Sequence, residues 1–171
     1  MYKILDPKQA NELRLRRHGW FSPEYELTDE TGSYGKLSYS MFSTRRAKVV
    51  TASGNWTFEF ENVFSRAILI IDQNGVINGR ATQGWFSRKV ILTMETGFTA
   101  EFYRPAFFWL WEYIWDSPGY GKIMRIKSSL LNIKSTVYLE QSMAPAAIIP
   151  LLIFLGAHLT LLRRRRRAQR G

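Results

Sequence analysis

The chain has 171 residues, of which 46% are hydrophobic and 15% are aromatic. This length and composition fit one folded domain with a sizeable core, and they argue against general disorder. Because the sequence contains no cysteine, disulfides, thiolate metal sites and cysteine nucleophiles are all excluded.

The first 20 residues are expected to form an N-terminal extension outside the domain. The opening segment, Met1 to Lys8, lacks the apolar core of a secretory signal, and Asp6 and Pro7 interrupt it early. Export is therefore not expected, and we predict a cytoplasmic protein.

From about residue 25 to residue 140, short β-type runs alternate with turn residues at spacings typical of all-β folds. Trp56, Phe58 and Phe60 alternate with polar residues, which predicts a half-buried strand. The clearest turn is Asp72-Gln73-Asn74-Gly75, because Asn-Gly accepts the positive φ values of a tight hairpin turn. The pattern predicts a mainly β domain.

Residues 107–115 are unusually rich in aromatic side chains. As a strand, this segment would place Trp109, Trp111 and Trp115 on one face. One interpretation is a barrel strand that is packed on both sides. The other is an aromatic surface that enters the lipid interface, where tryptophan and tyrosine are favoured. On that second interpretation the three tryptophans are candidate lipid contacts.

The last apolar segment has no charged residue between Glu140 and Arg163. About 20 residues at about 1.5 Å each give about 30 Å of helix, which fits a bilayer core and equally the axis of a small barrel. Pro145 and Pro150 restrict the regular apolar part to residues 151–162, or about 18 Å, which is short for a membrane span.

Topology gives a second reason to doubt a span. Arginines directly after it would keep the C-terminus in the cytoplasm, so the N-terminal domain would have to cross the membrane without a signal. We therefore predict a closed antiparallel β-barrel over residues 21–162 around a hydrophobic C-terminal helix at about 145–162, followed by a basic tail at 163–171. A single-pass membrane protein is the alternative.

The order of these features resembles the tubby C-terminal-like superfamily, which includes the phospholipid scramblases and the LURP-one-related proteins. The residues that carry the resemblance lie at 25–42, 55–61, 68–75 and 147–167. The resemblance implies a closed β-barrel threaded by a hydrophobic C-terminal helix, and contact with lipid. The cysteine cluster and the acidic calcium-binding stretch of the scramblases have no counterpart in this sequence, so calcium-driven lipid scrambling is not implied.

The sequence contains no recognisable catalytic constellation. His158 lies inside the apolar segment, where a neutral imidazole with one hydrogen bond to a barrel residue is expected. His18 is expected at the surface. Glu59 and Glu61 share a strand face, but they lie opposite an aromatic face and are expected to face solvent. We predict no catalytic residue, metal site or cofactor.

The positive charge is concentrated at the C-terminus. The formal net charge is +10, and six arginines lie in the last nine residues. Such a run fits an anionic membrane surface or a nucleic acid, and it also fits a solvated segment that only terminates an apolar helix. The candidate anion contacts are Arg163, Arg164, Arg165, Arg166 and Arg167.

Together these features predict a non-catalytic β-barrel module, peripheral at the membrane, that contacts anionic lipid or serves as a binding scaffold. The alternative from another class is a nucleic-acid-binding protein that uses the same basic tail, for which a steep salt dependence of binding is expected.

Overall fold

A computed structural model describes the chain except for residues 20–21, 41–42, 85–86, 107–110, 130–133 and 170–171. Within the described residues it contains twelve strands, one 3₁₀ turn and one α-helix. The strands are β1 (Glu12–His18), β2 (Glu24–Thr28), β3 (Ser33–Ser40), β4 (Ser43–Thr51), β5 (Asn55–Phe60), β6 (Ile68–Asp72), β7 (Ile77–Gln83), β8 (Val90–Met94), β9 (Thr99–Tyr103), β10 (Glu112–Ser117), β11 (Gly121–Ser128) and β12 (Lys134–Leu139). The 3₁₀ turn is Ala146–Ile148, and the helix α1 is Ile149–Ala168.

The strands form one closed antiparallel barrel. Each strand pairs with its neighbours in the chain, and β1 pairs with β12 to close the ring. In that closing pair Leu13 lies opposite Val137, and both side chains are buried. Closure satisfies the strand edges, which in an open sheet would present unpaired backbone groups. The predicted mainly β barrel is confirmed.

The barrel begins earlier in the chain than the sequence predicted. Strand β1 lies within the range 1–20 that was assigned to an extension, and it closes the ring. Its inward side chains are Leu13 and Leu15, while Arg14 and Arg16 are exposed. Two apolar residues in a charged segment give only a weak period-two signal, which explains why the strand was missed.

Helix α1 runs through the interior of the barrel. Residues 149–161 are all buried, as a helix that is enclosed on every side requires. Pro150 lies in the first turn, where its missing N–H removes no helical hydrogen bond. Ala146–Ala168 is long and apolar enough to cross a membrane, and 67% of its apolar window is buried inside the barrel. The predicted central helix is confirmed.

The helix does not end at Leu162, the last residue of the predicted helix before the basic tail at 163–171. It continues through Ala168, so the arginines at 163–167 are helical. Arginine is a good helix former, and cations are favoured in the last turn of a helix because the macrodipole is negative there. The arginine side chains therefore have fixed directions.

At Gly156 the helix lies directly against the barrel wall. A Cβ atom at this position would lie 2.6 Å from Ile126 Cδ1, 2.9 Å from Trp115 Nε1 and 3.3 Å from the ring of Phe102. Trp115 is fully buried, and its ring centre lies 4.9 Å from that of Phe102. Glycine is required here because a larger residue would displace the packed side chains of β9, β10 and β11.

Replacing Gly156 with valine is expected to destabilise the protein by roughly 1–3 kcal/mol, because the added atoms overpack the interface between helix and wall. Urea denaturation measures the change. Gly119→Ala is the matched control, since a Cβ there meets nothing within 4 Å, and its stability should stay within about 0.5 kcal/mol of the parent. Unchanged stability of Gly156→Val would contradict this packing.

His158 is buried on the other side of the helix. Its Nδ1 lies 2.8 Å from the hydroxyl oxygen of Tyr39, and its ring lies 5.6 Å from the ring of Tyr39 and 5.8 Å from that of Phe58. Burial lowers the pKa of His158 to about 3, so the imidazole is neutral near pH 7. The predicted neutral histidine with one hydrogen bond to the barrel is confirmed.

The free energy of unfolding should fall as the pH drops below about 6.5, because His158 then binds a proton in the unfolded chain but stays neutral in the folded one. The slope expected from this residue is about 1.4 kcal/mol per pH unit, down to the folded pKa of about 3. Urea denaturation between pH 4.5 and 7.5 measures it. His158→Gln should remove this slope and His18→Gln should keep it; identical slopes in the two variants would contradict the assignment.

Candidate functional site at the arginine end of the barrel

The C-terminal turns of α1 emerge at one end of the barrel and contact its rim. Four guanidinium groups donate hydrogen bonds there: Arg163 to Arg88 O at 2.6 Å, Arg164 to Ser129 O at 2.8 Å, Arg165 to Thr44 Oγ1 at 3.2 Å and Arg166 to Gln83 Oε1 at 3.4 Å. In an antiparallel barrel alternate connections share an end. The connections β1–β2, β3–β4, β5–β6, β7–β8, β9–β10 and β11–β12 therefore lie at this end, which we call the arginine end.

Consecutive residues of an α-helix point about 100° apart, so five consecutive arginines surround the helix end completely. Arg163, Arg164 and Arg166 are partly buried against the rim, whereas Arg165 and Arg167 are exposed. The run thus has two parts: three partly buried side chains that pack against the rim, and two side chains, Arg165 and Arg167, that touch the rim but remain exposed.

The partly buried arginines lie against aromatic rings. The guanidinium carbon of Arg163 lies 5.3 Å from the ring centre of Phe102 and 5.4 Å from that of Tyr113. Burial lowers the pKa of both Arg163 and Arg164, which reflects the lost hydration of the charge. Ring faces and rim oxygens compensate part of that loss.

Trp111 is the centre of a cluster of positive charge. The guanidinium carbons of Arg104, Arg164 and Arg167 lie 5.0 Å, 5.2 Å and 5.3 Å from its ring centre. Each contact is a favourable cation–π interaction, but the three like charges repel one another across the ring. An anion placed among them would relieve that repulsion.

Acidic partners are scarce at this end. Within the described part of the chain no carboxylate forms an ion pair with Arg163, Arg164, Arg165 or Arg167. The six connections contain a single acidic residue, Glu61, which is paired with Arg80. They also add four basic residues: Arg66, Arg88, Lys89 and Arg104.

The opposite end of the barrel has the reverse charge. Its connections, at 29–32, 52–54, 73–76, 95–98, 118–120 and 140–148, contain four acidic residues and no basic one. The segment before β1 also lies at this end and adds Asp6, Lys3 and Lys8, so acidic side chains exceed basic ones by three. A cavity of about 350 Å³ opens there beside Ile149 and is lined in part by Glu140 and Met143. The barrel therefore carries a charge asymmetry along its axis, which orients it in the field of an anionic surface.

Trp109, Trp111 and Trp115 were predicted as candidate lipid contacts, and the structure treats each of them differently. Trp111 lies at the arginine end as described, and Trp109 lies outside the described residues. Trp115 as a lipid contact is wrong, because the side chain is fully buried against the central helix. Strand β10 starts at Glu112, and its first four residues are all buried, so this strand has no exposed aromatic face.

Sequence reasoning missed three residues at this end. Arg104 could be found only through its contact with Trp111, which the sequence does not encode locally. Val63 and Phe64, in the connection between β5 and β6, are 72% and 95% exposed. They interrupt a polar stretch and could have been recognised as apolar residues at a turn.

No family model, curated protein or solved structure matches this chain. The resemblance to the tubby C-terminal-like superfamily therefore stays a prediction. Among the described residues, no group of three histidine, aspartate or glutamate side chains is arranged to hold a metal ion.

Proposed function

We propose that this chain is a non-catalytic β-barrel module that binds anionic membrane surfaces through its arginine end. The observation that supports the proposal is the ring of helical arginines at the barrel mouth, four of which have no carboxylate partner within the described residues. Positive charge held in place without an internal counter-charge favours an external anion.

Arg165 and Arg167 are the proposed contacts with lipid phosphate, because both are exposed. A guanidinium group offers a planar fork of donors that matches two oxygens of a phosphate. A basic residue at an anionic membrane contributes about 1 kcal/mol. Arg163 and Arg164 bind the rim through hydrogen bonds, so their proposed role is to position the helix end.

The charge asymmetry of the barrel supports one orientation. The arginine end would be attracted to the anionic lipids of the cytoplasmic leaflet, and the acidic connections at the opposite end would be repelled from it. This orientation agrees with the expected cytoplasmic, peripheral location.

A membrane is favoured over a nucleic acid because of the apolar residues at the same end. Val63 and Phe64 are exposed beside a basic surface. Such a mixture of apolar and basic groups is typical of surfaces that lie in the membrane interface, whereas a phosphate backbone gives an aliphatic side chain no apolar partner.

The double variant Arg165→Gln/Arg167→Gln is expected to bind vesicles containing phosphatidylserine about thirtyfold more weakly than the parent chain, since two contacts of about 1 kcal/mol each are lost. Vesicle co-sedimentation measures the change. Lys8→Gln/Lys122→Gln is the matched control, because it removes the same charge from exposed residues near the opposite end and should bind as the parent does.

Equal binding of the parent to phosphatidylserine and to phosphatidylcholine vesicles would contradict the proposal. So would equal loss of binding in both double variants, because only net charge would then matter. The same proteins are titrated with a DNA and an RNA oligonucleotide; tight, salt-sensitive binding there without vesicle binding would assign the arginine end to nucleic acid instead.

A further inference from the structure

The connections at the arginine end repeat one short motif. An apolar residue, phenylalanine and serine follow one another in four consecutive connections: Trp20-Phe21-Ser22, Met41-Phe42-Ser43, Val63-Phe64-Ser65 and Trp85-Phe86-Ser87. The phenylalanines are spaced by 21, 22 and 22 residues, and steps of 22 continue to Phe108 and Leu130 in the last two connections. The period equals one hairpin of the barrel, and the full motif occurs in four of the six connections at the arginine end.

The serine of the motif has a local structural role. Its side-chain oxygen accepts a hydrogen bond from the backbone N–H two residues later: Ser43 from Arg45 at 3.2 Å, Ser65 from Ala67 at 3.0 Å and Ser87 from Lys89 at 3.0 Å. The same turn geometry therefore recurs in three connections. The serine is the first residue of β4 in one case and lies three residues before β6 and β8 in the other two. This turn role explains the serine but not the apolar pair before it.

The connection at 61–67 is the one in which the structure describes the apolar pair. Val63 and Phe64 are 72% and 95% exposed, so packing in the barrel does not account for them. The side chain of Asn62 accepts hydrogen bonds from the N–H groups of Phe64 and Ser65, at 3.0 Å and 2.7 Å. Arg45 donates to the carbonyl of Asn62 at 3.1 Å, which ties this connection to β4. The polar bonds hold the apolar pair in an exposed turn.

The remaining connections at the arginine end are also rich in apolar residues by sequence. The connections at 104–111 and 129–133 are also apolar, with Phe107-Phe108-Trp109-Leu110 and Leu130-Leu131-Asn132-Ile133. Four of the six tryptophans occur in connections at the arginine end, and none occurs in those at the opposite end. Tryptophan is favoured at the membrane interface.

We infer that the barrel docks end-on, with the exposed pair Val63 and Phe64 of the connection between β5 and β6 inserted at the boundary between lipid headgroups and acyl chains. The inference rests on the proposed function and adds the mode of binding to it. The bilayer is chosen as the occupant because this exposed apolar pair lies at the same end of the barrel as the arginine cluster, which complements lipid phosphate. The sequence also repeats an apolar residue followed by phenylalanine in three further connections at that end. Affinity then has a hydrophobic part that salt does not screen.

Val63→Ser/Phe64→Ser tests the insertion. Removing two apolar side chains from the interface is expected to weaken binding to phosphatidylserine vesicles at least tenfold, and the remaining binding should be abolished by high salt. Val76→Ser/Ile77→Ser is the matched control, because these residues form an exposed apolar pair, 55% and 49% exposed, at the opposite end. That control should bind as the parent does, and urea denaturation should show both variants folded.

A second measurement locates the connection directly. The sequence has no cysteine, so Phe64→Cys and Val76→Cys each give a single site for an environment-sensitive fluorophore. The label at position 64 should report an apolar environment, and should be quenched by lipids brominated on the acyl chain, when vesicles are added. The label at position 76 should remain in water.

The outcomes separate this inference from the proposed function. Suppose that binding depends on acidic lipid, but the label at position 64 stays in water and Val63→Ser/Phe64→Ser binds as tightly as the parent. That result overturns the insertion and leaves electrostatic docking intact. Absence of parental binding overturns both. A third outcome is a label at position 64 that is shielded without vesicles, in a chain that is dimeric in analytical ultracentrifugation. If Val63→Ser/Phe64→Ser makes that dimer dissociate, the occupant is a second copy of the chain and the inference is overturned.

Discussion

The enclosure of an apolar helix by its own barrel is the constraint on which the rest of the structure depends. Twelve strands close into a ring whose interior must be filled, and α1 fills it with residues 149–161, all buried. The two parts stabilise each other: the helix is buried on all sides by the barrel, and the barrel interior is packed against the helix. Because the helix runs through the barrel interior and its end contacts the rim, the arginines that follow residue 162 lie at one mouth of the barrel.

This arrangement converts a charge run into a defined surface. A flexible tail of arginines would have no fixed geometry, but the helical arginines surround the axis and contact the rim at Gln83, Arg88 and Ser129. The buried contacts upstream, such as Gly156 against Trp115, fix the depth and rotation of the helix. Core packing and the proposed membrane contact are therefore coupled: a change that shifts the helix also shifts Arg165 and Arg167.

Much of the fold follows from local sequence signals. The alternation around Phe58 and the Asn74-Gly75 turn locate hairpins, and the uncharged segment before Arg163 identifies the central helix. Strand β1 was missed because its only two inward apolar residues, Leu13 and Leu15, lie in a charged segment. Its strand structure depends on the pairing with β12, which is distant in sequence. The helix was predicted to end at residue 162 because the apolar segment ends there. It continues to Ala168, since arginine is a good helix former.

The candidate site was predicted in part. The arginines at 163–167 were identified by charge alone, and Trp111 by its aromatic neighbours. Trp115 was misplaced because an aromatic-rich segment gives no indication of which ring faces the interior when both faces are apolar. The repeated motif around Phe64 was readable in the sequence, but its meaning required the topology, which puts all six connections at the end where the helix emerges. Arg104 depended on a tertiary contact.

Hydrogen–deuterium exchange of the purified chain tests the enclosed helix most directly. In buffer without lipid or detergent, amides 151–161 should exchange only through global unfolding, and their protection should disappear with the same denaturant dependence as that of the strands. Rapid exchange of this segment in a chain whose strands are protected, or protection that appears only after lipid is added, would show that the membrane rather than the barrel shelters the helix.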